Sequence, residues 1–587
     1  VGKFYSRNNG GAALSTLYVC GNTGSSTYGW ELYGAAGGGV NTGTVGQLGY
    51  YSGTTAVSSL ANSTVNLAAN GVVCDNSTDE TTLVQSLVTG VMSNNGSSFN
   101  TGNIAFPTNC TNGVIISKTI LFQNGLNNDI QGGNIQWRGI STTTTCTTTA
   151  SSTALTVGSG TNLAVGMWIW CAGAGDAFSG TGLATTLASG SGTSWVMAKA
   201  AGTAVTGARM VSNPVFISSA NRNVRFHGFT IKSDNAGTHP MGHVFQIQQD
   251  TVSSSANSEL DVFDNNFIEG ASVNGMQVCF AFVTGSTGSS SDNSGHTVTN
   301  NSCNNQTYAG VMIDNSQITD LHFVKDIIHG NGITGAMGFY SLAGAGFMTE
   351  NVYTSGNTLD YEISSQVDHP VTIMNGISEG SATFLDVPFQ NGANPVTIIN
   401  QRYSSNAING SHYAITYAPP GPLNIIGGSY GQGNNPCPRF VWGGTAGATA
   451  FGQIVGVTDS AFGCQGTNLL LLGTAVRNQI WQQGNTYTDT TTGNARIPTT
   501  PDVNVLYASS IASGVTGNTD LAGTLTLSGG TVSQNFIDTN YAVAPICTAT
   551  DTSTAAAVKV AATATQLTLT GTGTDVINYT CVVRTHN

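Results

Sequence analysis

Four acidic residues in the middle of the chain fall at spacings that could do chemistry: Asp314 in GVMIDNS, Asp360 and Glu362 in LDYEISS, and Asp386 in TFLDVPF. Two carboxyl groups held a few ångströms apart can divide glycoside hydrolysis between a general acid and a nucleophile or base. Glu362 and Asp386 are 24 residues apart. If extended segments repeat at that length, the two stack on neighbouring coils about 5 Å apart, and Asp314, two coils from Glu362, stands about 10 Å away. The first separation suits a retaining mechanism, and the second lies just beyond the inverting range of about 6.5–9.5 Å. Crowding two acids would also raise one pKa, as a general acid requires. Strand alternation sends all four acids outward while Ile313, Tyr361 and Ile363 fill the core. The competing reading is solvation: among 29 acidic residues some fall one coil apart by chance.

Other chemistries find less support. An eliminase acting on uronic acids needs a Lys or Arg base with carboxylate-bound calcium, yet residues 296–403 offer only Lys325 and Arg402, away from the Asp360 to Asp386 ladder. His369 sits beside a Pro turn, where a lone His is ordinarily just exposed. No His/Cys cluster has metal-ligand spacing, and no phosphate loop or nucleophile elbow occurs, so neither metal nor cofactor is expected. Asp326 and Glu350 follow apolar pairs, a position that favours turn hydrogen bonds. Tyr340, Tyr353, Tyr403, Tyr417 and Tyr430 recur along the coils among Asn, Ser and Thr, a pattern suited to sugar faces and hydroxyls, with core packing as the alternative for about half of them.

These spacings have meaning only if the chain winds at a fixed repeat, and over residues 296–403 it does. The lines HTVTNNSCN, LHFVKDIIHG, GFMTENVYT, PVTIMNGIS and PVTIINQRY place Asn301, Asp326, Glu350, Asn375 and Asn400 at intervals of 24 or 25 residues. A period of that size carried by strand-like segments marks a solenoid whose repeat is one coil. Upstream, GVVCDNSTDETTLVQSLVTGVMSNNG predicts a helix, with Ser77 and Glu80 as a capping box and Leu83, Val84, Leu87, Val88 and Val91 at helical spacing. Such a helix can cover the open end of a solenoid.

The run Gly71-Val72, Asp75 and Thr78-Asp79-Glu80-Thr81, followed by a short helix and β-coils, resembles the start of the pectate-lyase-like right-handed parallel β-helix domain of bacteriophage tailspikes. The resemblance spans residues 70 to 500 in architecture. It implies a right-handed parallel β-helix, a homotrimer and structural roles for the Asp and Thr of the run.

The expected organisation is all-β. Residues 1–70 form a short N-terminal β segment for attachment or assembly, and 71–140 the capping helix with the first coils. Residues 141–212, where alternating segments and Gly turns replace the 25-residue rhythm, form an inserted small β-barrel. Residues 213–500 form the main β-helix. Residues 511–587 carry short alternating strands that predict a β-sandwich, similar to those ending many phage-tail-like and bacterial surface proteins, a likeness that implies trimerisation or a tip role.

Only 8% of residues are charged while 40% are hydrophobic, which excludes disorder and leaves polar, uncharged faces. A net charge of -13 with 16 Lys and Arg gives no basic stripe for nucleic acid, and no run of 18 apolar residues provides a membrane-spanning helix. The chain begins at Val1, consistent with a removed targeting segment or a fragment. Spacing pairs Cys74 with Cys110, Cys146 with Cys171, Cys279 with Cys303, Cys437 with Cys464 and Cys547 with Cys581, leaving Cys20 single. That pattern favours an oxidising, extracellular setting, at the cell surface or on a virion tail. Three functions follow: an extracellular fibre or adhesin subunit that self-associates as a trimer or filament and recognises a polysaccharide or cell-surface glycan, a polysaccharide depolymerase using the paired acids, or a purely structural filament.

Overall fold

In a computed structural model, the described residues are 64–92, 102–175, 182–233, 238–248, 258–271, 275–283, 293–315, 318, 320–344, 346–363, 369–388, 394–405, 414–418, 421–432, 522–535 and 543–582, with strands at 4–7, 16–22, 28–32, 440–442, 449–459, 470–472, 477–483, 487–489 and 494–496. Three long parallel sheets of 13, 11 and 11 strands run side by side. Each coil contributes one strand to each sheet in turn, as Val262–Asp264 to sheet I, Phe267–Glu269 to sheet II and Met276–Val283 to sheet III before Thr297–Thr299 returns to sheet I. The chain is thus a parallel β-helix, the fold class expected from its repeat.

The turn from sheet I to sheet II is one residue in the left-handed region, and it recurs at Asn265, Asn300, Lys325, Asn351, Asn375 and Asn400 with φ of 51–57°. Asn tolerates that conformation because its short polar side chain bonds locally. The repeat length read from sequence therefore rests on a real turn, but its five markers come from three adjacent positions. Asn375 and Asn400 occupy the turn itself, Glu350 precedes it, and Asn301 and Asp326 follow it and point inward. Inside, Asn301 accepts from the Asn266 backbone N–H and amide at 2.9 Å each, and Asp326 accepts from the same groups of Asn301 at 2.8 and 2.9 Å. This ladder ties three coils together where an apolar side chain would leave the turn amides unpaired.

The rest of the lumen is apolar and aromatic. Residues paired across neighbouring strands stack face to face: Phe226 on Phe263, Phe245 on Phe280, and Phe339 on Tyr361 at 4.7 Å between centroids. In-register parallel pairing makes such stacks, because side chains one coil apart share a face.

Helix α1 spans Thr81–Met92 and buries Val84, Val88, Val91 and Met92. The Ser77–Glu80 capping box does not form. The Glu80 carbonyl accepts the first helical bond, from Val84 N–H, and the Glu80 carboxylate accepts from Val73 N–H, while Asp75 binds the N–H groups of Ser77 and Thr78. The motif instead closes two sheet edges. Glu80 N–H donates to Ile115 O, Thr81 Oγ1 accepts from Ser117 N–H, and the Gln85 amide both donates to Leu121 O and accepts from Leu121 N–H, at 3.1 and 2.7 Å. Ile115 and Leu121 lie on the terminal strands of sheets II and III.

Between the early coils is a closed six-stranded antiparallel barrel, running from Thr143 to Ser212, with Cys146, Leu155, Ile169, Leu187, Trp195 and Met210 in its core. At the C-terminal end two three-stranded antiparallel sheets enclose Leu525, Leu567, Leu569, Ile577 and Tyr579, forming a small sandwich. Four bridges form as paired from spacing: Cys74–Cys110, Cys146–Cys171, Cys279–Cys303 and Cys547–Cys581. Cys279–Cys303 joins sheet III of one coil to sheet II of the next across the lumen, and Cys146–Cys171 lies inside the barrel. Cys437 and Cys464 lie outside the described residues.

Two outcomes are expected. Thiol titration of the denatured, unreduced chain finds no more than three free groups among its 11 cysteines. Lys325, exposed at φ 57°, is the one residue at this left-handed turn that is neither Asn nor Gly, Gly228, Gly427 and Gly456 holding the same position in their coils. Lys325→Asn therefore stabilises the fold by about 0.5–1 kcal/mol and Lys325→Val destabilises it, read as shifts in denaturant midpoint at constant slope.

Candidate functional site

Sheet III turns one face to the lumen and the other outward, and its outward columns carry the polar chemistry. Tyr340, Glu362, Asp386 and Thr416 are successive partners in one column. All four strands pair without a slip at these positions, so each side chain stands about 4.8 Å from the next along the coil axis. Tyr340, Glu362 and Asp386 are half-buried. Asp386 is pushed up to about 6, first by burial and then by the charge of Glu362. A carboxyl group raised in this way keeps its proton to higher pH than a solvated carboxylate does.

The barrel forms a step at the upper end of this column. Arg209 projects from the barrel strand Val205–Ser212, its guanidinium 3.8 Å from the centre of the Tyr308 ring and hydrogen-bonded to Gln277. Tyr308 meets Tyr340 edge to face at 5.5 Å. A strip thus runs from Arg209 through Tyr308 and Tyr340 to Glu362 and Asp386. Sequence reasoning missed Arg209 and Tyr308. The alternation of Arg209 with the inward Ala208 and Met210 marks it as outward on the barrel, but nothing in the sequence says what the barrel docks against.

Two of the four acids expected outward are not exposed: Asp314 is on the outer face but covered, and Asp360 turns inward. Asp314 is sealed beneath the barrel, where one carboxylate oxygen accepts from Trp170 Nε1 and Gly182 N–H, each at 2.8 Å. Burial raises it to about 7. The two coils before Glu362 are unequal in sheet III, 28 residues from Met312 to Tyr340 and 22 from Tyr340 to Glu362, so that Met312 and not Asp314 shares their column and Asp314 stands two residues farther along its strand. Asp360 faces the lumen and accepts from Asn357 Nδ2 and Ser381 Oγ at 2.8 Å, and from Ser378 Oγ. Burial raises it to about 6, and its bonds tie the coil together.

The tyrosines divide as well. Tyr403, Tyr417 and Tyr430 are fully buried in the lumen, so they present no sugar-binding face. Tyr403 and Tyr430 are in-register neighbours, and the inward position before them is Ser378, whose small size makes room for the ring. Tyr353 is half-buried on sheet II, where its hydroxyl donates to Glu379 at 3.0 Å, away from the sheet III column. Tyr340 alone of the five lies beside the acids. Among the described residues no group of three His, Cys, Asp or Glu side chains is placed to hold a metal ion, and no helix is long and apolar enough to cross a membrane.

Fold and site together define a parallel β-helix protein with a barrel docked beside a half-buried acid pair. No protein-family model matches the chain and no curated protein matches it in sequence. Among solved structures it is similar to the tailspike protein gp49 of Pseudomonas phage LKA1, at 10% identity and a TM-score of 0.36 over 88% of this chain and 99% of that one. The gp42 tailspike of Acinetobacter phage vb_AbaP_AS12 aligns at 10% identity and a TM-score of 0.41, over 90% and 83% of the two chains. An endo-xylogalacturonan hydrolase from Aspergillus tubingensis aligns at 10% identity and a TM-score of 0.34, over 72% and 92%.

The raised Asp386 carboxyl sets a pH dependence. Its folded-state pKa of about 6 lies above the usual carboxylate value, so the folded chain binds this proton more tightly than the unfolded one. Stability from this group is full below about pH 4 and falls as pH rises through 6. Asp386→Asn is therefore expected to raise stability at pH 7.5 by about 1 kcal/mol after allowance for solvent screening, and to leave it unchanged at pH 4. In Glu362→Gln the gain from Asp386→Asn shrinks. Thermal unfolding of the four proteins at both pH values checks this.

Proposed function

We propose that the chain is an extracellular, tailspike-like β-helix protein that recognises a polysaccharide along the outer face of sheet III. The observation that carries this reading is the strip itself: two aromatic rings and two carboxyl groups in adjoining positions, half-exposed, on a surface with little other charge. Aromatic faces suit the apolar side of a sugar ring, and carboxylates and Thr416 suit its hydroxyls. The four disulfide bridges support an oxidising location, such as a cell surface or a virion tail. Self-association into a trimer or filament, and an adhesin role, belong to the same proposal, and the mass in solution distinguishes a discrete oligomer from a filament.

A second reading, hydrolysis of the bound glycan, is favoured by one observation: Asp386 retains its proton toward neutrality while sharing a column with Glu362. In that reading Asp386 protonates the leaving oxygen and Glu362 attacks or activates water. A strand spacing of about 4.8 Å lies nearer the retaining separation of about 5–5.5 Å than the inverting one.

Both readings are tested with the full chain and a panel of bacterial and plant polysaccharides. Tyr340→Ala is expected to weaken glycan binding about tenfold, on the order of the 1–1.5 kcal/mol that an aromatic contact contributes. For hydrolysis, new reducing ends are measured, and Glu362→Gln and Asp386→Asn are each expected to lower the rate at least about a hundredfold. Cleavage that survives both substitutions removes the acid pair as the catalytic centre.

A further inference from the structure

The strip holds a cation that its protein surroundings leave without a counter-charge. Among the described residues Arg209 makes no ion pair: its guanidinium lies over the Tyr308 ring and bonds to the neutral Gln277 side chain, and its Nε is buried without a hydrogen-bond partner. Burial lowers its pKa, the direction expected for a desolvated cation. The acids nearest in the strip, Glu362 and Asp386, are separated from it by the Tyr308 and Tyr340 rings. A half-buried guanidinium without an anion is costly, and the planar fork of donors is shaped to receive a carboxylate in two parallel bonds.

Resting on the reading of the strip as a glycan site, we propose that its barrel-side end is a subsite for an acidic sugar, in which Arg209 pairs with the sugar carboxylate and Tyr308 and Tyr340 support the ring. The barrel then supplies half of the site. Its docking is fixed by Trp170 and Gly182 on Asp314, so the guanidinium is held in place before any ligand arrives. Neutral units of the same polymer lie farther along the column, toward Glu362, Asp386 and Thr416, where a second carboxylate would be repelled.

The test uses polygalacturonate, alginate and hyaluronate, each beside its carboxyl-reduced, neutral form, with retention of the full chain measured by affinity electrophoresis. The expected result is that at least one acidic polymer binds at least about tenfold more tightly than its reduced form, as a charge-assisted bidentate pair allows. Arg209→Gln brings that ratio below about two, while Arg209→Lys, which keeps the charge and loses the fork, falls between. Raising salt weakens the acidic polymer selectively in the wild type and not in Arg209→Gln. Circular dichroism confirms that each variant is folded, and Arg209→Lys keeps the comparison open if Arg209→Gln is not. Equal binding of acidic and reduced forms, or an equal loss of both in Arg209→Gln, overturns the inference. Binding of neutral polymers as tight as that of acidic ones, removed by Tyr340→Ala, overturns the acidic subsite alone and leaves the glycan reading standing. Failure to retain any polymer overturns both.

Discussion

In-register parallel pairing between successive coils is the constraint on which everything else in this protein depends. Each strand commits its backbone groups to the coils above and below, so the position of a side chain is fixed by its column and its coil number. The same rule stacks Phe226 on Phe263 inside the lumen and sets Glu362 beside Asp386 outside it. It also makes small irregularities consequential. Two unequal coils between Asp314 and Glu362 put Met312 in the acid column and leave Asp314 two residues along its strand, beneath the barrel, where it becomes a docking group.

Polar groups inside the solenoid follow from the same geometry. A tight turn leaves amides facing inward, and the Asn266, Asn301 and Asp326 ladder satisfies them. A second ladder, in which Asp261 accepts from Val224 N–H and His296 Nδ1 accepts from Asp261 N–H, does this at the start of sheet I. Burial pushes Asp261 and Asp326 up to about 7 and His296 down to about 3, each shift favouring the neutral form in a lumen that solvates charge poorly. The low charge of the sequence and the polar content of its core are thus two sides of one design: hydrogen bonds from uncharged amides and acids replace ion pairs.

How far the sequence discloses this depends on whether a feature is periodic. The coil length, the helix near the start, the change of texture in the barrel and four cysteine pairings are all legible, because each is a local pattern or a multiple of one repeat. Glu362 and Asp386 are legible together because no slip occurs between their strands. Asp314, Asp360 and the three lumen tyrosines are not. Asp314 misses the column because the two coils before Glu362 differ in length, Asp360 is drawn inward by Asn357, Ser378 and Ser381, and Tyr403 and Tyr430 fill space that Ser378 leaves open. Arg209 and Tyr308 are brought together by packing between elements about a hundred residues apart in sequence, for which strand alternation has no counterpart.

The capping of the first coil has a consequence for growth. A parallel sheet with a bare terminal strand is a template: its free amides and carbonyls accept another chain as readily as another coil. Here the amide of a single glutamine mimics a strand residue at Leu121, and the Thr78-Asp79-Glu80-Thr81 run does the same at Ile115 and Ser117. Hydrogen-bond propagation in sheets II and III therefore stops at a defined polarity, and copies of the chain cannot extend one another through those edges. Contacts made along those two edges must proceed through side-chain surfaces, where partner choice is set by shape and composition and not by the indiscriminate backbone.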